Sequence, residues 1–275
     1  IMFGDFLTLA ADQLINHAAK YRWMYNDHAR VPLVVRTPMG GRRGYGPTHS
    51  QTLEKHFLGA PGLRTLAPAA LGNPGELLRQ AVLVDDDPVL FIENKLLYLC
   101  KLPDEAFRQE YESEEIYPSP ASPARGWAGA LAPAGYAPTY CLRLRGAPQP
   151  SLTLVAYGYM AELARKALQE LAYQDEIFAE LIVPTQLAPF EIEPLLASAR
   201  ATGHALIAEE GTAALGWGAE IAAQLAEKAG AGLKITRLAA ADTPIPAAGS
   251  LEAAVLPGVN ELRRAAQQLM STTGS

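Results

Sequence analysis

Val31-Pro-Leu-Val-Val-Arg36, running on into Thr37-Pro-Met-Gly-Gly-Arg-Arg-Gly-Tyr-Gly-Pro-Thr-His49, decides the fold class of this chain. The first six residues are an apolar, β-branched run, the pattern of a buried strand, and they end in a glycine-rich, basic loop. Open α/β sheets place ligands at the carboxyl ends of their strands, so a strand feeding such a loop marks a candidate site as well as an element. Gly40, Gly41, Gly44 and Gly46 permit positive φ and close backbone approach. Pro47 stiffens the exit, which fixes Thr48 and His49 before the next element. A plain surface turn would use the same residues, and loop chemistry alone leaves the two readings level.

Upstream, residues 5–24 read as a helix, with Asp5 as N-cap and Phe6, Leu9, Ala10, Leu14, Ile15 and Ala18 at helical spacing. Downstream, Ser50 is expected to cap a helix carrying Leu53, Phe57 and Leu58, with Glu54 near the capping-box position. A strand at Leu63–Ala67 follows, then a helix opening at Pro74 with Leu77, Leu78 and Ala81, then a strand at Pro88–Ile92. This alternation argues for βαβ units and a parallel sheet. It holds few strands, so the sheet would be left with an uncovered edge. Residues 101–150 change character, with Glu110, Glu112, Glu114 and Glu115 followed by many Pro, Ala and Gly, and read as a linker plus insertion of little regular structure. A second alternation begins at Leu152–Tyr157. Its helix holds Met160, Leu163, Ala164 and Leu168, and strands at Phe178–Val183, His204–Ala208 and Lys234–Leu238 are separated by helices near 191–200 and from Ala219. A helix at 259–270 closes it. The chain is thus α/β, in two domains, 1–100 and 151–275, joined by 101–150.

Of 275 residues, 49% are hydrophobic and 19% charged, with a net charge of −6, enough apolar material for a sizeable core. No cluster of Lys and Arg marks a phosphate-tracking surface, so a nucleic-acid partner is not expected. Two cysteines, Cys100 and Cys141, make no disulfide framework and fit a reducing, cytoplasmic setting. No apolar run is long enough to span a bilayer, and Asp5 and Asp12 interrupt any secretory signal. Because residue 1 is Ile, the chain is expected to start inside a longer polypeptide or to have been trimmed.

An imidazole placed by the loop suits proton transfer near neutral pH, and an ordinary loop histidine would look the same at this level. His17, His28, His56 and His204 read as surface or structural residues, and no pair has metal-ligand spacing. Ser50 next to His49 lacks a nucleophile elbow and reads as a cap. Neither a P-loop nor a dinucleotide fingerprint occurs. Gly216-Trp-Gly218, after Glu209-Glu210-Gly211, is a glycine turn opening a helix. Such an end can take an anion or a partner's carboxylate, and close helix packing is the favoured reading. Asp242-Thr-Pro-Ile-Pro246 reads as a rigid architectural turn.

The run Arg36–Gln51 resembles the beta subunits of the decarboxylating component of pyruvate, branched-chain 2-oxo acid and acetoin dehydrogenases. The likeness extends back through Phe6, Asp12-Gln13 and Asn16–Ala19, and forward through Pro61–Leu63, Asp85–Pro88, Glu93–Tyr98, Gly216–Ile221, Asp242–Pro246 and Leu256-Pro257. Transketolase and deoxyxylulose-phosphate synthase share the architecture but resemble Gly46–Gln51 less closely. The resemblance implies a thiamine-diphosphate pyrimidine-binding domain, N-terminally incomplete here, followed by a transketolase C-terminal-like domain. It implies that Phe6 packs on the aminopyrimidine, that His49 faces the reacting carbon and assists proton movement or acyl transfer to a lipoyl group, and that Arg36 lies near the site. Mg²⁺ and the diphosphate fall to a separate alpha subunit. A potassium site is implied at main-chain oxygens near Leu33, Ala81, Asp85 and Asp87, although the segment before Pro88 is a residue longer than the family pattern. Further implied partners are a lipoyl-bearing acyltransferase core and a second beta subunit.

The sequence departs from the family in three ways. The glutamate that activates the cofactor in the family lies upstream of any equivalent of Ile1, Ala247 replaces a common aromatic, and the acidic, Pro-rich insertion is unusual. Gly4-Asp5 with Asn26 does not match the Gly-Asp-Gly…Asn metal motif, since residue 6 is Phe and the spacing is short. The implied activity is oxidative decarboxylation of a 2-oxo acid with acyl transfer to lipoamide. A catalytically degenerate assembly or docking subunit, and a transketolase-like sugar enzyme, stand as alternatives.

Overall fold

In the computed structural model, which describes residues 1–118 and 135–271, the opening run becomes an edge strand, β1 (Val34–Met39). Pro38, which has no N–H to give a ladder, is tolerated because β1 has a single neighbour, β3 (Val89–Asn94). β3 pairs in parallel with β1 and with β2 (Arg64–Leu66), and α2 (Pro74–Val84) supplies the crossover. Asn73 caps α2 by accepting the Glu76 N–H, with Pro74 in the first turn where its missing donor costs nothing. Alternation along β1 sends Val34 to the cluster of Leu66, Leu77 and Phe91 and Val35 to the cluster of Leu7, Leu90 and Ile92. Residues 4–24 are helical in three windings. A 3₁₀ stretch (Gly4–Ala10) leads into a wider π-type stretch (Gln13–Ala18) and then α1 (Ala19–Met24).

The fourth strand of this sheet, β8 (Gln186–Ala188), comes from the other half of the chain and pairs antiparallel with β2. The second sheet has the order β10-β9-β6-β7-β5-β4, with β5 (Thr139–Leu144) and β4 (Tyr111–Ile116) at one edge. Its parallel centre is β6 (Leu152–Ala156), β7 (Ala179–Pro184), β9 (His204–Thr212) and β10 (Lys234–Ala240). α4 (Gly158–Asp175) and α8 (Val259–Ser271) bury Leu163, Leu168, Leu262 and Leu269 on one face, and α5 (Glu193–Thr202) and α6 (Trp217–Lys228) bury Leu195, Leu196, Ile221 and Leu225 on the other. That second cluster also holds Leu7, Met39, Phe57 and Ile92, so one apolar core runs across both halves.

Three expectations are corrected here. The 101–150 segment is not merely a linker. It contains α3 (Glu105–Glu110), β4 (Tyr111–Ile116) and β5 (Thr139–Leu144), the last two forming the antiparallel edge of the second sheet. The acidic run proved misleading because Glu112, Glu114 and Glu115 lie along an exposed edge strand, where charge discourages pairing with another chain, while Tyr111 points inward. The Pro- and Ala-rich residues 119–134 lie outside the described residues. The helix expected after Ser50 is a single 3₁₀ turn, Glu54–His56. Glu54 is drawn into the core, where its carboxylate accepts the Tyr157 hydroxyl at 2.5 Å, and a hydrogen bond from the Gly40 N–H to the Gln51 carbonyl holds the preceding residues extended. Asp5 is likewise no cap, since its carboxylate accepts the Gln51 side-chain amide at 2.8 Å. One element had no expectation at all, the short α7 (Gly249–Val255).

Candidate active site

The glycine-rich turn begins at Gly40, one residue beyond β1, and leans on the second half of the molecule. The Gly41 N–H donates to Glu210 of β9 at 2.7 Å, and the N–H groups of Arg42 and Gly44 donate to the two carboxylate oxygens of Glu252 of α7, at 2.7 and 3.0 Å. Arg42 also turns its Nε toward Glu210 and donates from Nη2 to the Pro257 carbonyl at 2.6 Å. Gly40 takes φ +98° with Asn94 and Glu210 so close that a Cβ would sit 2.3 Å from the Asn94 amide, so only glycine fits there.

Beyond Pro47 the chain presents His49, half-buried, among aromatic rings. The imidazole stands edge-on to Phe3 (4.7 Å between centroids) and to Phe6 (5.2 Å), and Phe3 in turn meets Tyr45 at 5.9 Å. The Thr48 hydroxyl lies 3.0 Å from His49 Nδ1. Lys95, just past β3, donates to the His49 carbonyl at 3.2 Å and sits 3.9 Å over the Phe3 ring. Burial lowers the pKa of this lysine below the usual range. Phe6 keeps 43% of its surface exposed, so the cluster has an open aromatic face against which a flat heterocycle can stack. His49 and Phe6 are therefore brought together, and Phe3, Tyr45 and Lys95 join them. The sequence signal for Phe3 and Tyr45 was available in the aromatic spacing of Phe3 and Phe6 and in the place of Tyr45 inside the loop, whereas nothing local marked Lys95.

Arg36 is not part of that cluster. Strand alternation puts it on the face of Val34, where its guanidinium pairs with Glu93 at 2.7 Å. Glu93 also accepts the Tyr98 hydroxyl, and the three residues rim a cavity of about 350 Å³ floored by Phe91, Leu78 and Pro68. Leu33, Ala81, Asp85 and Asp87 gather at the opposite, N-terminal end of the sheet. The Leu33 carbonyl accepts the Val89 N–H, Asp85 faces Arg64 at 3.1 Å, and Asp87 faces Arg22 at 2.6 Å. Among the described residues no group of three or more His, Cys, Asp or Glu side chains is arranged to hold a metal.

Residues 1–101 match the pyrimidine binding domain of transketolase and residues 142–262 match the transketolase C-terminal domain. The 2-oxoisovalerate dehydrogenase subunit beta of Pseudomonas aeruginosa is 34% identical over 98% of this chain and 73% of its own length. The pyruvate dehydrogenase E1 component subunit beta-1 of Arabidopsis thaliana, a mitochondrial protein, is 32% identical over 97% of this chain and 67% of its own. The chain belongs to the family of 2-oxo acid dehydrogenase beta subunits. Another relative, the beta subunit of the acetoin:2,6-dichlorophenolindophenol oxidoreductase of Cupriavidus necator, is 29% identical over 98% of this chain. Among solved structures, an inactive beta4 tetramer of a split-gene transketolase shares the fold with a TM-score of 0.67 at 18% identity, covering 98% of this chain and 75% of that one. The expected α/β architecture, a pyrimidine-binding domain followed by a transketolase C-terminal domain, therefore stands. No helix among the described residues is long and apolar enough to cross a membrane.

The beta subunit also carries a buried acidic group that sequence reasoning missed. The Gly216-Trp-Gly218 turn receives a carboxyl group, the subunit's own Glu209, which accepts the Gly218 N–H at 3.1 Å at the head of α6. A Cβ at Gly216 would stand 2.5 Å from that carboxyl group, so the glycines serve its close approach. Burial, reinforced by the nearby Glu54 carboxylate, pushes Glu209 up to about 7 against the pull of the Gly218 and Trp217 N–H groups. Burial raises the Glu54 pKa as well, and one oxygen of each carboxylate has no hydrogen-bond partner. Because the folded-state pKa of Glu209 lies above the ordinary value of 4.5, its contribution to stability is complete below pH 4.5 and is lost as pH rises through about 7. Glu209→Gln, which mimics the protonated form, is expected to flatten the fall in melting temperature between pH 5 and 8. The gain at pH 8 would be on the order of 2 kcal/mol. Thermal melts across that range check it, and parallel pH profiles for the two proteins would count against it.

Proposed function

We propose that this chain forms one half of a thiamine-diphosphate-dependent site that oxidatively decarboxylates a 2-oxo acid and passes the acyl unit to lipoamide. The observation that carries the reading is the edge-on stacking of His49 against Phe6 and Phe3, at the head of a loop fixed from two sides. Open aromatic faces and a neighbouring imidazole fit an aminopyrimidine ring, and the family resemblance leaves the Mg²⁺ and diphosphate to another chain. Those groups are assigned to an alpha partner. Thiamine diphosphate, when bound, supplies the electron sink for loss of CO₂.

The chain's own residues have other tasks. Phe6 and Phe3 orient the flat ring and exclude water from one side of it. His49, held by Thr48 and by the Lys95 contact to its carbonyl, carries the proton that the lipoyl sulfur must gain as the acyl unit moves. Arg36, facing Glu93 across the sheet, borders the site through its strand without touching the ring. The potassium ion implied by the family resemblance would rest on main-chain oxygens near Leu33, Ala81, Asp85 and Asp87, since both carboxylates already face arginines, and it has no part in the step above. In this reading 1–100 is the pyrimidine-binding domain and 151–275 the body of the C-terminal domain, to whose sheet β4 and β5 of the 101–150 segment add an edge. A second beta subunit and a lipoyl-bearing acyltransferase core complete the assembly. The free thiols of Cys100 and Cys141 suit a cytoplasmic setting.

The test is to assemble the protein with its alpha partner and offer pyruvate and branched-chain 2-oxo acids with a lipoyl domain and thiamine diphosphate. Cofactor-dependent acylation of the lipoyl domain by at least one of them is expected. No decarboxylation of any of them retires the reading in favour of a docking subunit.

A further inference from the structure

We propose that Glu252 is a positioning residue for His49, an inference that rests on the proton-handling role given to His49 above. Three facts converge on this carboxylate. It is 4% exposed, on the short helix α7, and each of its oxygens accepts a main-chain N–H of the glycine-rich turn, from Arg42 at 2.7 Å and from Gly44 at 3.0 Å. Arg42 and Gly44 both take positive φ, +68° and +69°, so their amides converge on one side of the backbone and form an anion-binding nest. Finally, the turn is cut to fit the segment that carries the carboxylate. A Cβ on Gly41 would lie 2.7 Å from Leu256 and 3.1 Å from Glu252, and one on Gly44 would lie 3.1 Å from the Ala247 carbonyl.

The grip reaches the imidazole through few bonds. Gly44 is followed by Tyr45, whose ring meets Phe3, and by Gly46, whose carbonyl accepts the His49 N–H at 3.4 Å. Pro47 leaves little torsional freedom between them. Fixing the amides of Arg42 and Gly44 therefore fixes where the imidazole stands. The partner of this grip, Glu210, has Arg42 as a counter-ion, whereas Glu252 binds main-chain amides. A carboxylate can accept both N–H groups at once. A glutamine in its place offers one acceptor and turns its NH₂ against the second amide.

The experiment combines Glu252→Gln with His49→Gln in the enzyme assembled with its alpha partner. Glu252→Gln is expected to slow lipoyl acylation at least 10-fold at saturating 2-oxo acid, with KM for the 2-oxo acid changed less than 2-fold. In the His49→Gln background it should add less than 2-fold, because a residue that acts through His49 has nothing left to position. Amide exchange at Arg42 and Gly44 should rise at least 10-fold in Glu252→Gln while the β9 amides stay protected, which shows the fold intact. Glu252→Asp, a shorter carboxylate, should fall between wild type and Glu252→Gln in both readouts. Equal slowing in both backgrounds overturns the inference, because it marks a structural role only. Wild-type acylation by Glu252→Gln, with His49→Gln impaired, also overturns it and leaves the His49 role standing. If His49→Gln itself acylates at the wild-type rate, the underlying reading falls instead.

Discussion

His49→Gln, in the enzyme assembled with its alpha partner, is expected to acylate a lipoyl domain on the order of 10²- to 10⁴-fold more slowly than wild type, the range over which a positioned general acid or base contributes. Thiamine diphosphate should still bind, within about 2-fold of the wild-type affinity by the same general argument that uniform binding and proton transfer are separable. The reasons lie in the geometry. Glutamine has similar bulk and leaves Phe3 and Phe6 in place to receive a flat ring, so the aromatic face survives. It cannot gain or lose a proton near neutral pH, so the transfer that the imidazole serves has no carrier. Rapid-quench measurement of lipoyl acylation beside a cofactor-binding titration separates the two effects. Turnover at the wild-type rate would remove His49 from the mechanism, whatever else the fold implies.

The largest stability effect is expected at Arg64, far from that chemistry. Arg64 is 6% exposed, and its guanidinium pairs with Asp85 at 3.1 Å and donates to the Gln186 side-chain oxygen at 3.0 Å. Asp85 also accepts the Tyr136 hydroxyl. Burial raises the Asp85 pKa, and Arg64 is the main influence opposing that rise. Arg64→Met takes away the counter-charge and leaves a carboxylate stranded in a dry site, which costs about 3–5 kcal/mol when one partner of a buried pair is removed. Changing both partners is a different matter. Arg64→Met with Asp85→Asn leaves no buried charge, keeps an acceptor for Tyr136, and should recover a good part of the loss. Urea midpoints of the two variants decide it. A single variant within about 1 kcal/mol of wild type would mean that the pair is far better hydrated than its burial indicates.

The parts of the fold legible in the sequence were those written in short-range patterns. The βαβ rhythm, the strand before the glycine loop and the helices of the second half all carry local periodicity, and each occurs within a few residues of its expected bounds. What local pattern missed was set by tertiary partners. Ser50 and Glu54 look like a helix start, but Glu54 has a hydroxyl waiting for it on Tyr157, and a buried carboxylate with a partner outweighs a cap. The acidic stretch at 110–115 looks like a solvated linker, but one face of it is the rim of a sheet. In the candidate site, motif likeness led to His49 and Phe6, which the structure brings together. It gave no warning that Arg36 lies on the other face of its strand, because the exact start of β1 sets the side-chain parity. Glu210 and Glu252 were invisible as partners of the glycine-rich turn, since nothing in the sequence links residues separated by 169 and 210 positions to its main-chain amides.

The antiparallel ribbon β8 carries an evolutionary consequence. The leading module borders on a strand encoded well over a hundred codons downstream, with the Ala67 N–H reaching across to the Thr185 carbonyl. Recombination that transplanted the front module alone would carry off a sheet with a raw flank, open to pairing with strangers. Inheritance should therefore keep both modules together, and chimeras that join them from distant lineages need matched residues along that seam.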